Sequence, residues 1–222
     1  MGLIYAGVPK SYVLSLKNRF AIECFVETGT FAGRTAAWAA GHFAQVVTIE
    51  VSEAQYRGAS ARLSQYANVR RLLGDSRALL SELAASLPPS IIWLDAHSCG
   101  GTPGLDVECP LLDEIRALAP CWDRAFVLVD DARFFLSPPP AELDASQWPG
   151  LKEVVDTLAA GSERFVACFE DLFVSVPAEG KEPTIEYIRA GGRQNRRVLG
   201  LAKDPNRGSL FRRVGRYLRG KA

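Results

Sequence analysis

A chain of 222 residues and 24.2 kDa has room for one core, since single cores grow to roughly 250–300 residues before a chain splits. Its 48% hydrophobic and 23% charged residues exclude disorder, a collagen-type repeat or a coiled coil, and no run nears the ~18 apolar residues of a spanning helix. The formal net charge of +1 hides an asymmetry: residues 181–222 carry twelve basic against three acidic side chains, a net of +9, which leaves residues 1–180 at −8.

The opening MGLIYAGVPKSYVLSLKNRF has no basic-then-apolar signal pattern and no small-residue cleavage site, and Ala6 stands where a myristoylation signal needs Ser or Thr. A helix is expected over 10–19. Short β-branched or aromatic runs then alternate with amphipathic stretches: strands over 23–27, 45–50, 69–73, 90–95 and 125–130, helices near 33–42, 53–66, 76–86, 108–119 and 150–160. Alternation at this spacing means βαβ units and a mostly parallel sheet with helices on both faces. Two last strands, 164–169 and 172–176, are separated only by Glu170-Asp171 and read as an antiparallel hairpin at a sheet edge. The Pro-rich segment 137–148 exceeds a mere connector and is expected to act as a lid. Residues 1–180 form the expected domain and 181–222 a basic tail. Five cysteines at irregular spacing suit reduced thiols in a cytoplasmic protein. His97, Cys99 and Cys109 fit no common zinc spacing.

Chemistry concentrates at the strand ends. The first strand runs into ETGTFAG, where Gly29 and Gly33 flank a tight turn leading to a helix whose N-terminal N–H groups face a ligand. A dinucleotide fingerprint needs a second glycine where Phe31 stands, so the turn suits a ligand without phosphate at that point. Glu50 closes the second strand some twenty residues later, where a carboxylate can accept hydrogen bonds from ribose hydroxyls. Asp75 and Ser76 follow the third strand; Asp75 can cap the next helix and, in a nucleoside site, the same position faces the adenine amino group. Asp95 ends the fourth strand, and Asp130 and Asp131 end the fifth. Three converging carboxylates call for a cation, and all-oxygen ligation favours Mg2+, Mn2+ or Ca2+. Asp130 and Asp131 can share one only if the strand has already turned, because adjacent strand residues point to opposite faces. His97, two residues beyond Asp95, is a candidate base, ligand or substrate donor, and His42 a partner of the preceding helix C-terminus.

In order, ETGTFAG, TIE, GDS, LDAH and VDDAR resemble the motifs of class I S-adenosylmethionine-dependent methyltransferases over roughly residues 22–135. More narrowly, the Asp and Asp-Asp pattern is similar to metal-dependent O-methyltransferases acting on sugar hydroxyls of macrolide and aminocoumarin antibiotics. AHSCGG after Asp95 departs from that narrower pattern. The resemblance implies a Rossmann-like α/β fold of seven strands with the last one antiparallel. It implies that Glu27, Gly29, Thr30, Phe31 and Gly33 form the cofactor turn, that Glu50 holds the ribose, that Asp75 and Ser76 contact adenine, and that Asp95, Asp130 and Asp131 hold Mg2+. A bound cation would align an acceptor hydroxyl, with Asp95 or His97 taking the proton and the lid near 137–148, with Trp148 as a hydrophobic stop, covering the acceptor. The competing expectations are a non-catalytic cofactor binder, or a protein that meets RNA or an anionic membrane surface through its basic tail. SLFRRVGRYLRGKA, at the chain's end, reads as a surface-seeking helix. A homo-oligomer is compatible with all of these.

Overall fold

Strands buried on both faces are largely apolar, and four here are buried at every residue: β1 (Cys24–Thr28), β4 (Ser90–Leu94), β5 (Ala125–Val129) and β7 (Leu172–Pro177). They form the centre of the sheet in the computed structural model, which describes residues 7–97, 107–161 and 163–198. The remaining strands are β2 (Gln45–Glu50), β3 (Val69–Leu73) and β6 (Arg164–Phe169). Their order is β3-β2-β1-β4-β5-β7-β6, parallel throughout except that β7 runs antiparallel to both β5 and β6. The expected hairpin is therefore present, turning at Glu170 with φ +55°.

Alternation along each strand assigns the faces. Cys24, Val26, Ile92, Leu94, Val127 and Val129 pack in one core with Leu80 and Leu83 of α4 (Ser76–Ala84), Ile115 of α5 (Leu111–Ala117) and Val154 of α7 (Leu151–Leu158). On the other face Phe25 meets Trp38 of α2 (Arg34–Ala40), and Phe126 meets Phe20 of α1 (Lys10–Phe20). Each such buried side chain contributes about 1.5–3 kcal/mol. α3 (Glu53–Leu63) begins at Ser52, whose hydroxyl accepts from Gln55 N–H. A four-residue helix, α6 (Arg133–Leu136), was not expected from the sequence. The chain divides into two units after Pro183, with α8 (Lys181–Val198) crossing the boundary. The helix expected in SLFRRVGRYLRGKA and Cys99 lie outside the described residues. Among the described residues no helix is long and apolar enough to cross a membrane.

Arg164 bolts the antiparallel edge to the sheet. Its guanidinium donates to Ser175 Oγ, Ser175 O and Ala125 O, each at 2.7 Å, and to Trp122 O, and lies 4.0 Å from the Trp122 ring centre. Truncation strands all these acceptors, so Arg164→Met should destabilise the protein by about 3–5 kcal/mol. Urea titration followed by far-UV circular dichroism measures it; a midpoint unchanged from wild type would refute the assignment.

Candidate functional site

Sheet order reverses between β1 and β4, and ligands of open α/β sheets bind beyond the carboxyl ends at such a point. Two chain segments meet there. Asp95 N–H donates to Thr28 Oγ1 at 3.2 Å, and the Asp95 carbonyl faces Gly29. A Cβ on Gly29 would overlap that carbonyl oxygen and lie 2.9 Å from its carbon. Gly29 (φ +80°), Phe31 (φ +44°) and Gly33 (φ +66°) carry the chain through left-handed conformations. The turn's own amides are largely used: Gly29 N–H and Thr30 N–H both donate to Ile49 O, and Gly33 N–H donates to Thr30 O.

Beneath the turn, Thr30 donates to Thr48 Oγ1 (2.6 Å), which donates to Glu27 Oε2 (2.7 Å). Glu27 is buried. Burial pushes its carboxyl up to about 8 against the Thr48 hydrogen bond, and the charges of Asp95 and Glu50 push the same way. Glu50 sits at the tip of β2 with each oxygen accepting one backbone donor, Oε1 from Ser52 N–H and Oε2 from Phe31 N–H. One lone pair per oxygen is left, which is what two vicinal hydroxyls require. Around Glu50 three apolar side chains stand out at adjacent strand ends: Phe31 is 62% exposed, Val51 44% and Leu73 45%. Asp75 caps α4. It accepts from Arg77 N–H and from the Arg77 guanidinium, which holds its carboxyl below the usual range. Ser76 is buried as the first residue of α4.

Asp95, Asp130 and Asp131 do gather past β4 and β5, and the strand has turned, with Asp131 at φ +55°. They do not form the expected cation site. Both oxygens of Asp131 are committed, Oδ2 to His97 Nε2 (3.1 Å) and Oδ1 to Arg133 Nη1 (2.7 Å). Asp130 Oδ1 accepts Asp131 N–H, leaving only Oδ2 buried without a partner. Among the described residues no three His, Cys, Asp or Glu side chains are arranged to hold a metal. The donors as placed do not fit a divalent ion, because a guanidinium and an imidazole already balance the most acidic of the three carboxylates. The electrostatics separate the groups sharply. Burial would raise the Asp131 carboxyl, but His97 and Arg133 outweigh it and bring it down to about 2. Burial and the charges of Asp95 and Asp131 push Asp130 up to about 7. Asp95, half-buried, is raised to about 6, by burial first, with His97 lowering and Asp131 raising it. Burial alone would lower the His97 imidazole; its Asp131 hydrogen bond and the nearby carboxylates reverse that and raise it.

No protein-family profile and no curated protein matches this sequence. Solved structures do resemble it. A proposed caffeoyl-CoA O-methyltransferase from Staphylococcus aureus is 16% identical, covering 78% of this chain and 86% of its own, with a TM-score of 0.55. A methyltransferase from Podospora anserina with bound S-adenosylhomocysteine (SAH) is 14% identical over 75% of this chain and 76% of its own, at a TM-score of 0.52. A proposed O-methyltransferase from Klebsiella pneumoniae is 13% identical over 80% and 84%, at 0.50. This is the class I methyltransferase fold.

On that methyltransferase fold several important residues escaped the sequence reading. Arg133, two residues past Asp131, also pairs with Asp171 in the β6–β7 turn, and Asp171 Oδ1 accepts Arg133 N–H. Glu114 on α5 is buried, and burial pushes its carboxyl up to about 7 against the lowering influence of the Ser76 and Thr28 hydroxyls. Trp148 is buried against His97, Phe134 and Phe135, ring centres 5.4–5.6 Å away, and its Nε1 donates to Glu108 Oε2. Glu108 further anchors the segment through Asp144 N–H and Gln147. His42 lies against Trp38 at 5.0 Å. Burial pushes the Cys109 thiol up to about 12. A cleft of about 630 Å3 beside Ile115, Trp122, Thr157 and Ala160 contains none of the expected site residues.

Proposed function

We propose that this chain is an S-adenosylmethionine-dependent methyltransferase acting on a hydroxyl oxygen of a small molecule. One observation carries the reading: the glycine cradle at the switch point opens on a rim that carries the carboxylates of Glu50 and Asp95, with Glu27 buried beneath it, while His97 and Arg133 are both committed to Asp131. Such a rim repels a pyrophosphate and attracts a ligand of net positive charge. S-adenosylmethionine meets both demands, having a sulfonium and an ammonium against one carboxylate, and no phosphate. Bound there, it supplies an electrophilic methyl group: the O–CH3 bond forms as the S–CH3 bond breaks, leaving an uncharged thioether.

The residues divide the remaining work. Glu50 has the free lone pairs to accept two ribose hydroxyls, and Phe31, Val51 and Leu73 offer the apolar surface a purine covers. A hydroxyl, unlike a free amine, must lose a proton as it attacks. Asp95, raised to about 6 and half-buried at the rim, is mostly ionised at neutral pH and still basic enough to take it. His97 is tied through Nε2 to Asp131, which raises its imidazole and occupies that nitrogen, so the base is assigned to Asp95. Without a convergent donor set, no step runs through a divalent ion.

Calorimetry with SAH should show one site, and methyl transfer should be found among sugar and phenolic acceptors with or without a chelator. Asp95→Asn should cut transfer by roughly 10²–10⁴-fold while SAH affinity changes far less. Wild-type turnover in that variant would overturn the base assignment; absence of SAH binding by the wild type would overturn the cofactor.

A further inference from the structure

Two carboxylates from distant parts of the chain meet at one nitrogen. Arg133 Nη1 donates to Asp131 Oδ1 at 2.7 Å and also to Asp171 Oδ2. Asp131 follows β5, and Asp171 belongs to the β6–β7 turn. Both are buried, Asp131 completely, and neighbouring buried carboxylates repel unless a cation stands between them. The turn is fixed to the same corner by backbone donors: Arg133 N–H donates to Asp171 Oδ1 and Ala132 N–H to Asp171 O, both at 3.0 Å. On its other oxygen Asp131 is hydrogen-bonded to His97 Nε2 at 3.1 Å, and the guanidinium lies 4.4 Å from the Phe134 ring centre. The hairpin does not depend on this arginine for its attachment, because the β5–β7 ladder and Arg164 already secure it. What Arg133 adds is charge, at the carboxyl end of β5 where the site lies. The convergent pair is thus Asp131 with Asp171, whereas the sequence pointed to Asp95, Asp130 and Asp131. One or two carboxylates completed by water are a common cradle for Mg2+, and here Arg133 Nη1 fills the position between them.

We propose that Arg133 is the built-in cation of the methyl-transfer site, a positioning residue that joins Asp131 to Asp171 in the place of a divalent ion and through Asp131 holds His97. Its effect on transfer rests on the methyltransferase reading above; its effect on metal binding does not. A guanidinium keeps its proton at any pH a protein survives, so the occupant is permanent and the wild type has no vacancy for a metal between these two carboxylates. Removing the side chain leaves two facing carboxylates with no cation, a latent site for a divalent ion.

Mn2+ followed by electron paramagnetic resonance is the probe. Arg133→Ala should take up one Mn2+ per chain at about 1 mM or below, and the ion should raise its thermal midpoint. The wild type should bind at least roughly tenfold more weakly and show no such rise. Arg133→Lys keeps a cation and should exclude Mn2+ as the wild type does. Asp171→Ala added to Arg133→Ala removes one of the two carboxylates and should abolish the uptake. An arginine that merely pinned the hairpin would cost stability when removed, without creating an ion site. Methyl transfer should fall about 10–100-fold in Arg133→Ala and recover in part with Mn2+, but not in the double variant. Arg133→Gln removes the charge while keeping the stem and serves for the same measurements if Arg133→Ala does not fold. Equal Mn2+ uptake by wild type and Arg133→Ala, uptake by neither the Ala nor the Gln variant, or wild-type transfer by Arg133→Ala without metal would overturn the proposal. If the wild type binds no SAH yet Mn2+ uptake still separates it from Arg133→Ala, the cofactor reading fails and the placement of Arg133 survives. SAH binding with Mn2+ uptake equal in the two leaves the cofactor reading and ends this one.

Discussion

Gly29→Ala should abolish detectable binding of SAH in a protein that still folds. Two independent penalties coincide at this residue. At φ +80° an alanine pays roughly 1–2 kcal/mol for the left-handed backbone. Its Cβ would also overlap the Asp95 carbonyl, which cannot withdraw without breaking the Asp95 N–H to Thr28 bond or parting the paired ends of β1 and β4. Relief must come from opening the switch point, the place where the ligand is held. An affinity loss of at least about a hundredfold follows if opening costs about 3 kcal/mol, with a modest fall in thermal midpoint. Gly58→Ala is the matched control. That glycine lies inside α3 with nothing near an added Cβ, so alanine there should stabilise by about 0.5–1 kcal/mol and leave binding alone. Wild-type SAH affinity in Gly29→Ala would remove the cradle from the binding site.

What was legible in the sequence was whatever burial alone decides. β2, β3 and β6 fall on their expected bounds, because a run such as QVVTIE can satisfy its apolar side chains only between neighbours. The ends of β4 and β5 fell one residue short, at Leu94 and Val129, and this small difference frees Asp95 and Asp130 to leave the pleat. The charge balance was not legible. DDAR announces three charges within four residues, but whether Asp131 faces a metal, Arg133 or His97 depends on the left-handed turn at Asp131 and on Asp171 arriving from a hairpin 38 residues later. Trp148 misled for a similar reason: a Pro-rich stretch reads as loose, yet Glu108 ties three points of it down. Glu114 was invisible because a Glu in the first turn of a helix reads as a favourable dipole partner on the surface, and only packing reveals that it points inward.

The ligand-free protein should lose stability as pH rises from about 5 to 8.5. Glu27 at about 8, Asp130 and Glu114 at about 7, and Asp95 at about 6 all bind their protons more tightly folded than unfolded. Between the ordinary carboxyl range and these raised values the unfolded chain has fewer protons than the native one, so stability falls with rising pH and the fall ends above about 8. The raised His97 pushes the same way. Asp131, lowered to about 2, acts oppositely, and only at pH below about 4. Maximum stability therefore lies near pH 4–6. Glu27, fully enclosed, contributes the largest share, on the order of 3–5 kcal/mol by alkaline pH. Glu27→Gln should flatten the slope of thermal midpoint between pH 6 and 9 while preserving an acceptor for Thr48. The same charge has a signature in binding. S-adenosylmethionine and SAH differ by the sulfonium charge, so the ratio of their affinities should grow as the carboxylates ionise, and less so in Glu27→Gln. A ratio constant from pH 6 to 8.5 in the wild type would mean that the acidic rim does not recognise the sulfonium.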